Sequence, residues 1–141
     1  MLEAAQEAAG GHVAILAVTV LTHLDQMALE VLDLPGSSLA RAEKWAGLAQ
    51  VTGCSGAVCS PLEVAALREA CRPPFLLVTP GIRLAPAGGA QDDQQRVATP
   101  GDALRAGADL LVVGRPVTSA ADPEVALQRI AREIEDALTP M

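Results

Sequence analysis

Two arginines stand where short apolar runs break into glycine and proline. Leu110-Leu-Val-Val-Gly-Arg-Pro-Val117 is one such run, and Leu77-Val-Thr-Pro-Gly-Ile-Arg83 is the other. Arginine offers a planar, permanently charged fork that suits phosphate oxygens, and glycine lets the backbone approach a ligand closely. Gly114, Arg115 and Arg83 are therefore candidate anion-binding residues. A surface ion pair is the competing role for Arg115; Gly114 beside it and the second arginine upstream favour phosphate. Other candidate chemistry is sparse. Lys44 is the only lysine, and it lies in Glu43-Lys44-Trp45 within a helical pattern, as a solvated face residue would. His12 and His23 lack metal-ligand spacing, and Asp25 near His23 reads as a loop partner. Asp92-Asp93 has no histidine or third carboxylate suitably spaced, so no metal site is expected. Cys59 reads as a small buried hydrophobe.

The elements that must position these residues alternate. Leu2–Ala9 reads as a helix stopped by Gly10-Gly11. His12–Val20 is apolar on both faces, as expected of a buried strand running into Leu21-Thr22. A short helix from Gln26 to Leu32 follows, then one from Ser38 to Thr52, capped by Ser37 or Ser38, with Leu39, Ala42, Trp45, Ala46 and Ala49 at helical spacing. Gly56–Ser60 is a strand, and Pro61 suits the first position of a helix ending near Cys71. Phe75–Thr79 is a strand, and Pro80 to about Ala98 is a long Gly/Pro-rich loop, a length usually tied to function or disorder. Its anchored ends favour function. Thr99-Pro100 caps a helix to Ala106, Asp109–Val113 is a strand, Gly114–Ala121 a loop, and Asp122-Pro123 caps a helix to about Leu138. Four strand–helix units imply a parallel sheet with right-handed crossovers. Two successive glycine- and arginine-bearing strand ends are what the phosphate grip of a (β/α)₈ barrel requires.

Composition narrows the partners. The chain has 141 residues, is half hydrophobic, and has one Phe, one Trp and no Tyr. Its core must come from Ala, Val, Leu and Ile, which fits buried parallel strands under Ala-rich helices. A net charge of −7 with no basic cluster makes nucleic acid an unsuitable partner. Cys54, Cys59 and Cys71 form an odd set without a CxxC pair, so a reducing cytoplasm is expected rather than a disulfide framework. No stretch reaches membrane-span length, and Glu3 and Glu7 stand where a signal peptide would be basic. The whole chain, 1–141, has the length of one ordinary domain with a real core.

Five segments carry a family resemblance, in this order. They are Leu16-Ala-Val-Thr-Val-Leu-Thr22, Gly56-Ala-Val-Cys-Ser60, Leu77-Val-Thr-Pro-Gly-Ile-Arg83, Asp93-Gln-Gln-Arg-Val-Ala-Thr-Pro100 and Val112-Val-Gly-Arg-Pro-Val-Thr118. Together they resemble the second half of bacterial-type orotidine-5′-phosphate decarboxylase, from about Gly11 to Glu135. The resemblance implies an α/β fold that is the C-terminal half of a (β/α)₈ TIM barrel, with about four parallel strands each followed by a helix. It implies conversion of orotidine monophosphate (OMP) to UMP with loss of carbon dioxide, without a cofactor. It places Thr22 against the pyrimidine, Arg83 and Gln94 on the phosphate or over the nucleotide, and Gly114 and Arg115 on the phosphate. Capping of the following helix is the alternative for Thr22, and bracing of the long loop is an equal alternative for Arg96.

The same resemblance marks what is missing. The family's chemistry rests on a D-x-K-x-x-D cluster, whose lysine protonates the carbanion left when carbon dioxide departs. Lys44 has no aspartates in that pattern, and the chain has no other lysine. The expectation is that 1–141 forms one partial domain, a half barrel with the phosphate grip and without the catalytic cluster, inactive alone. A start at Met1 within a helix suits an internal start or an interrupted gene. Such a half barrel exposes two sheet edges and an open inner face, which invite a homodimer or a complementing N-terminal half. Two other functions compete: another sugar-phosphate-binding TIM barrel, and a non-catalytic nucleotide-phosphate-binding or assembly module.

Overall fold

A computed structural model describes residues 1–84 and 97–139. Its elements run α1 (Leu2–Ala9), β1 (Leu16–Val18), α2 (Gln26–Val31), α3 (Ser38–Val51), β2 (Gly56–Val58), α4 (Val64–Ala70), β3 (Leu76–Thr79), α5 (Pro100–Arg105), β4 (Leu110–Leu111), α6 (Arg115–Thr118) and α7 (Pro123–Leu138). The strands form one parallel sheet in the order β1-β2-β3-β4. This is the alternating architecture expected from the sequence.

Helix starts follow their side chains. Ser37 accepts from the Ala40 amide, Thr99 from the Asp102 amide, and Asp122 from those of Glu124 and Val125. Asp25, not Thr22, caps α2 by accepting from Ala28 N. That removes the capping alternative for Thr22. Pro61 precedes α4 rather than opening its regular turns. There Ser60 N donates to Glu63 Oε2 (3.0 Å) and Leu62 N to Ser60 Oγ (3.3 Å), a variant of the Ser-x-x-Glu capping box.

Strand register explains the packing. Ala17, Ala57 and Leu77 share one row, and Thr79 pairs with Leu111 on the same face. Ala57, Leu77 and Thr79 are wholly buried there, beneath α3 and α4, whose Ala42, Ala46, Ala49, Val64 and Leu67 face the sheet. Alanines at helical spacing on α3 let the helix approach the sheet closely. Gly56 serves the same end within the sheet. A Cβ there would sit 2.3 Å from the Leu76 carbonyl oxygen, so only glycine fits.

The other face is open. Val18, Val58, Val78 and Leu110 form its defining row, with Leu16 and Val112 on the same side. Leu16 is 38 % exposed, Val18 58 %, Leu110 52 % and Val112 50 %, whereas Val78 in the middle is buried. The expectation that His12–Val20 is buried on both faces is thus corrected, and the Leu110 run is open on the same side. Among the described residues the helices cover only one side, because right-handed crossovers between neighbouring parallel strands all return over the same face. The expected open inner face and two exposed edges are observed. The edge strands β1 and β4 are shorter than expected, since each has only one neighbour to pair with among the described residues.

Candidate functional site

Arg83, Gly114 and Arg115 lie at the C-terminal ends of the strands. β3 passes through Pro80 and Gly81 to Ile82, which bridges in parallel to Ala98. Arg83 N donates to Ala98 O (2.9 Å), Ala98 N to Gly81 O (3.3 Å), and Arg83 Nη1 to Ile82 O (2.8 Å). The two ends of the long connection are thereby tied together beside β3. Gln94, Arg96 and the Asp92-Asp93 pair belong to residues 85–96 and lie outside the described residues.

β4 leads to Gly114, which caps α6, a four-residue helix where a loop was expected. Val117 N and Thr118 N both donate to Gly114 O, at 2.9 and 3.1 Å. Pro116, in the first turn, is the signal that could have revealed this helix. A Cβ added to Gly114 would meet nothing within 4 Å among the described residues, so none of them crowds that position. Space in front of its backbone is what the residue provides.

Because β3 and β4 are neighbours, Arg83 and Arg115 stand at adjacent strand ends. Thr22 is placed differently. It sits half-buried in the turn after β1, at the same end of the sheet but on the opposite edge. Three strand spacings separate β1 from β4, about 14 Å at 4.8 Å each. The fold therefore gathers Arg83, Gly114 and Arg115 and leaves Thr22 apart.

Behind these loops runs a buried polar layer that the sequence reading passed over. Thr19 Oγ1 donates to Val58 O (2.8 Å), and the Cys59 Sγ and Thr79 Oγ1 atoms lie 4.0 Å apart. Ser60, Glu63 and Thr79 are buried at the ends of β2 and β3. The Ser60-Pro-Leu-Glu63 spacing was the available signal. Cys59 is buried, as expected of a small hydrophobe, and burial pushes its thiol from the ordinary 9.0 up to about 11. The Thr79 contact opposes that shift only in part, and the Glu63 carboxylate adds to it. Alkylation of Cys59 at pH 8 should accordingly be negligible in the native chain and rapid in urea, read by mass spectrometry. The raised value favours the folded state fully below pH 9, and that contribution fades between pH 9 and about 11. Rapid native alkylation of Cys59 at pH 8 would contradict this burial.

The opposite ends of the strands do a different job. Arg68 of α4 donates to Gly107 O (3.1 and 3.0 Å), Cys71 O (3.1 Å) and Phe75 O (2.9 Å), and it pairs with Asp109. Asp109 also accepts from Leu77 N (2.7 Å). One guanidinium thus ties α4 to the starts of β3 and β4. In (β/α)₈ barrels, contacts at the N-terminal face of the strands serve stability and the C-terminal face serves function.

Comparison with known proteins decides the lineage. Residues 1–130 match the family described as Orotidine 5′-phosphate decarboxylase / HUMPS. The chain belongs to that family. The Orotidine 5′-phosphate decarboxylase of Anaeromyxobacter dehalogenans is 54 % identical over 131 residues, covering 93 % of this chain and 57 % of the relative. That of Nitrosococcus oceani is 50 % identical over 139 residues, covering 96 % and 59 %. The crystal structure of orotidine 5′-phosphate decarboxylase from Lactobacillus acidophilus superimposes with a TM-score of 0.74 at 36 % identity, covering 95 % of this chain and 58 % of that one. The chain therefore spans little more than half the length of these decarboxylases. Its four strand–helix units are the C-terminal half of their (β/α)₈ barrel, which accounts for the open inner face.

Proposed function

We propose that this chain carries the nucleotide-phosphate grip of an orotidine-5′-phosphate decarboxylase, without the residues that perform the decarboxylation. The observation that carries this reading is the juxtaposition of Arg83 and Gly114-Arg115 at neighbouring strand ends in a member of that family. Arg115 supplies a bidentate, charge-assisted contact to a phosphate dianion. Gly114 offers its backbone amide, and Arg83 and Gln94 hold the phosphate or close over the nucleotide. Thr22 contributes the contact to the pyrimidine. OMP and UMP are the ligands, no cofactor takes part, and residues 1–141 act as one partial domain in the cytoplasm.

Catalysis needs a proton donor for the carbanion that remains when carbon dioxide leaves. Lys44 does not qualify: it is exposed on α3, the helix that covers the side of the sheet opposite the open face. Incubation of the purified chain with OMP should release no carbon dioxide above the buffer control. Turnover that survives Lys44→Ala and is abolished by Arg115→Ala would overturn this assignment, because it would place a working acid elsewhere in the chain.

A further inference from the structure

We propose that two copies of this chain close into one eight-stranded ring. In this ring β4 of each copy pairs in parallel with β1 of the other, and Thr22 of the second copy completes the site that begins at Gly114 and Arg115. The proposal rests on the nucleotide-site reading above for the roles of those residues, and on the sheet for the pairing itself.

The sheet presents two unsatisfied features at once. No strand pairs with the outer edges of β1 and β4 among the described residues. The half-exposed apolar side chains of the open face also belong to these same two edges, Leu16 and Val18 on β1, Leu110 on β4 and Val112 just past it. Stacking two sheets face to face would bury the apolar side chains and leave all four edges open. Side-by-side pairing of two edges would satisfy one edge per copy and leave the open face wet. Ring closure satisfies both requirements together.

A second copy has the geometry this needs. Four parallel strands are half of an eight-stranded barrel. A twofold axis along the strands keeps all of them parallel and generates two identical β4–β1 junctions. Their register follows from the barrel's shear. A shear of about eight residues, shared between two equivalent junctions, offsets each by about four residues from the straight ladder. Val18 and Leu110 lie in one ladder row within a copy. The offset in the direction that covers the exposed side chains sets Leu110 beside Ala14, Val112 beside Leu16 and Gly114 beside Val18 of the second copy. Leu16, Val18, Leu110 and Val112 belong to the face that is open in one copy. The opposite direction would set Leu110 beside Thr22 and leave Leu16 and Val18 uncovered.

The functional consequence lies at the strand ends. Within one copy β1 and β4 are the two extremes of the sheet, so Thr22 and Arg115 are separated by its whole width. In the ring β1 of the second copy follows β4 directly, and the Val20–Thr22 turn lies next to Gly114-Arg115. The ring has two such composite sites.

The test joins a mass measurement with directed cross-linking of the full chain. Light scattering after gel filtration at tens of micromolar should give twice the chain mass. Two single variants at exposed positions, Leu16→Cys and Val112→Cys, should form a covalent heterodimer when mixed, refolded together and oxidised. Neither variant alone should cross-link, because the ring keeps two Leu16 positions, and two Val112 positions, on opposite sides. A monomer, a polydisperse aggregate, or a dimer that cross-links in the single-variant controls would overturn the ring. So would a chain that becomes monodisperse only when a complementing half is supplied. UMP titration separates this from the functional reading. A cross-linked ring that fails to bind UMP keeps the pairing and removes the nucleotide site, whereas UMP binding by a monomer does the reverse.

Discussion

Replacing Arg68 with alanine lowers the unfolding free energy by about 3 kcal/mol, measured as a fall in urea midpoint at unchanged slope. The side chain is less than one-fifth exposed, and it supplies the donors for three backbone carbonyls and one carboxylate. Truncation strands the Gly107, Cys71 and Phe75 oxygens in a partly dry cleft and leaves Asp109 without its cation. The penalty is dominated by those stranded acceptors rather than by the lost ion pair, which is part-exposed and screened. Arg68→Lys should restore only a minor part, because an ammonium cannot span acceptors arranged around a planar fork. Domains are stable by only about 5–15 kcal/mol, so a loss of this size removes a large fraction of the total. An Arg68→Ala chain within about 1 kcal/mol of the parent would show that water satisfies these carbonyls as well as the guanidinium does.

Arg115→Ala weakens UMP binding by about tenfold to a hundredfold, the equivalent of losing a charge-assisted contact of about 1.5–3 kcal/mol. Its effect on stability should be under about 0.5 kcal/mol, since Arg115 is exposed at the start of α6. The two arginines therefore separate cleanly. One governs folding from the N-terminal ends of the strands, and the other governs ligand affinity from the C-terminal ends. Arg115→Lys should retain part of the affinity through charge alone and lose the bidentate geometry. Unchanged affinity in Arg115→Ala would assign the arginine to a surface ion pair instead.

The strands were legible because β-branched, apolar runs end abruptly at glycine, proline or polar residues. Their lengths were not. His12–Val20 reduces to Leu16–Val18 because pairing, which defines a strand, depends on a neighbour, and Gly56–Val58 is all that β2 offers. The capping residues Ser37, Thr99 and Asp122 were legible from local chemistry, since an acceptor side chain ahead of an apolar helix face has few other uses. The Ser60–Glu63 box was present in the spacing and obscured by Pro61. Arg68 and Asp109, 41 residues apart, have no local signature that joins them. At the site, Arg83 and Arg115 could be singled out by type, because a cation after a buried strand is conspicuous. Their adjacency, and the separation of Thr22 from both, come from strand order, which no single segment encodes. The exposure of Leu16, Val18, Leu110 and Val112 is likewise a property of what does not face them.

The phosphate grip is tested most directly by calorimetric titration of the purified chain with UMP and, in parallel, with uridine. Saturable heat with UMP and none with uridine at the same concentration is the expected result, because recognition is placed on the phosphate. Equal binding of both, or binding of neither by a chain whose circular dichroism shows it folded, would contradict a phosphate grip at Gly114 and Arg115.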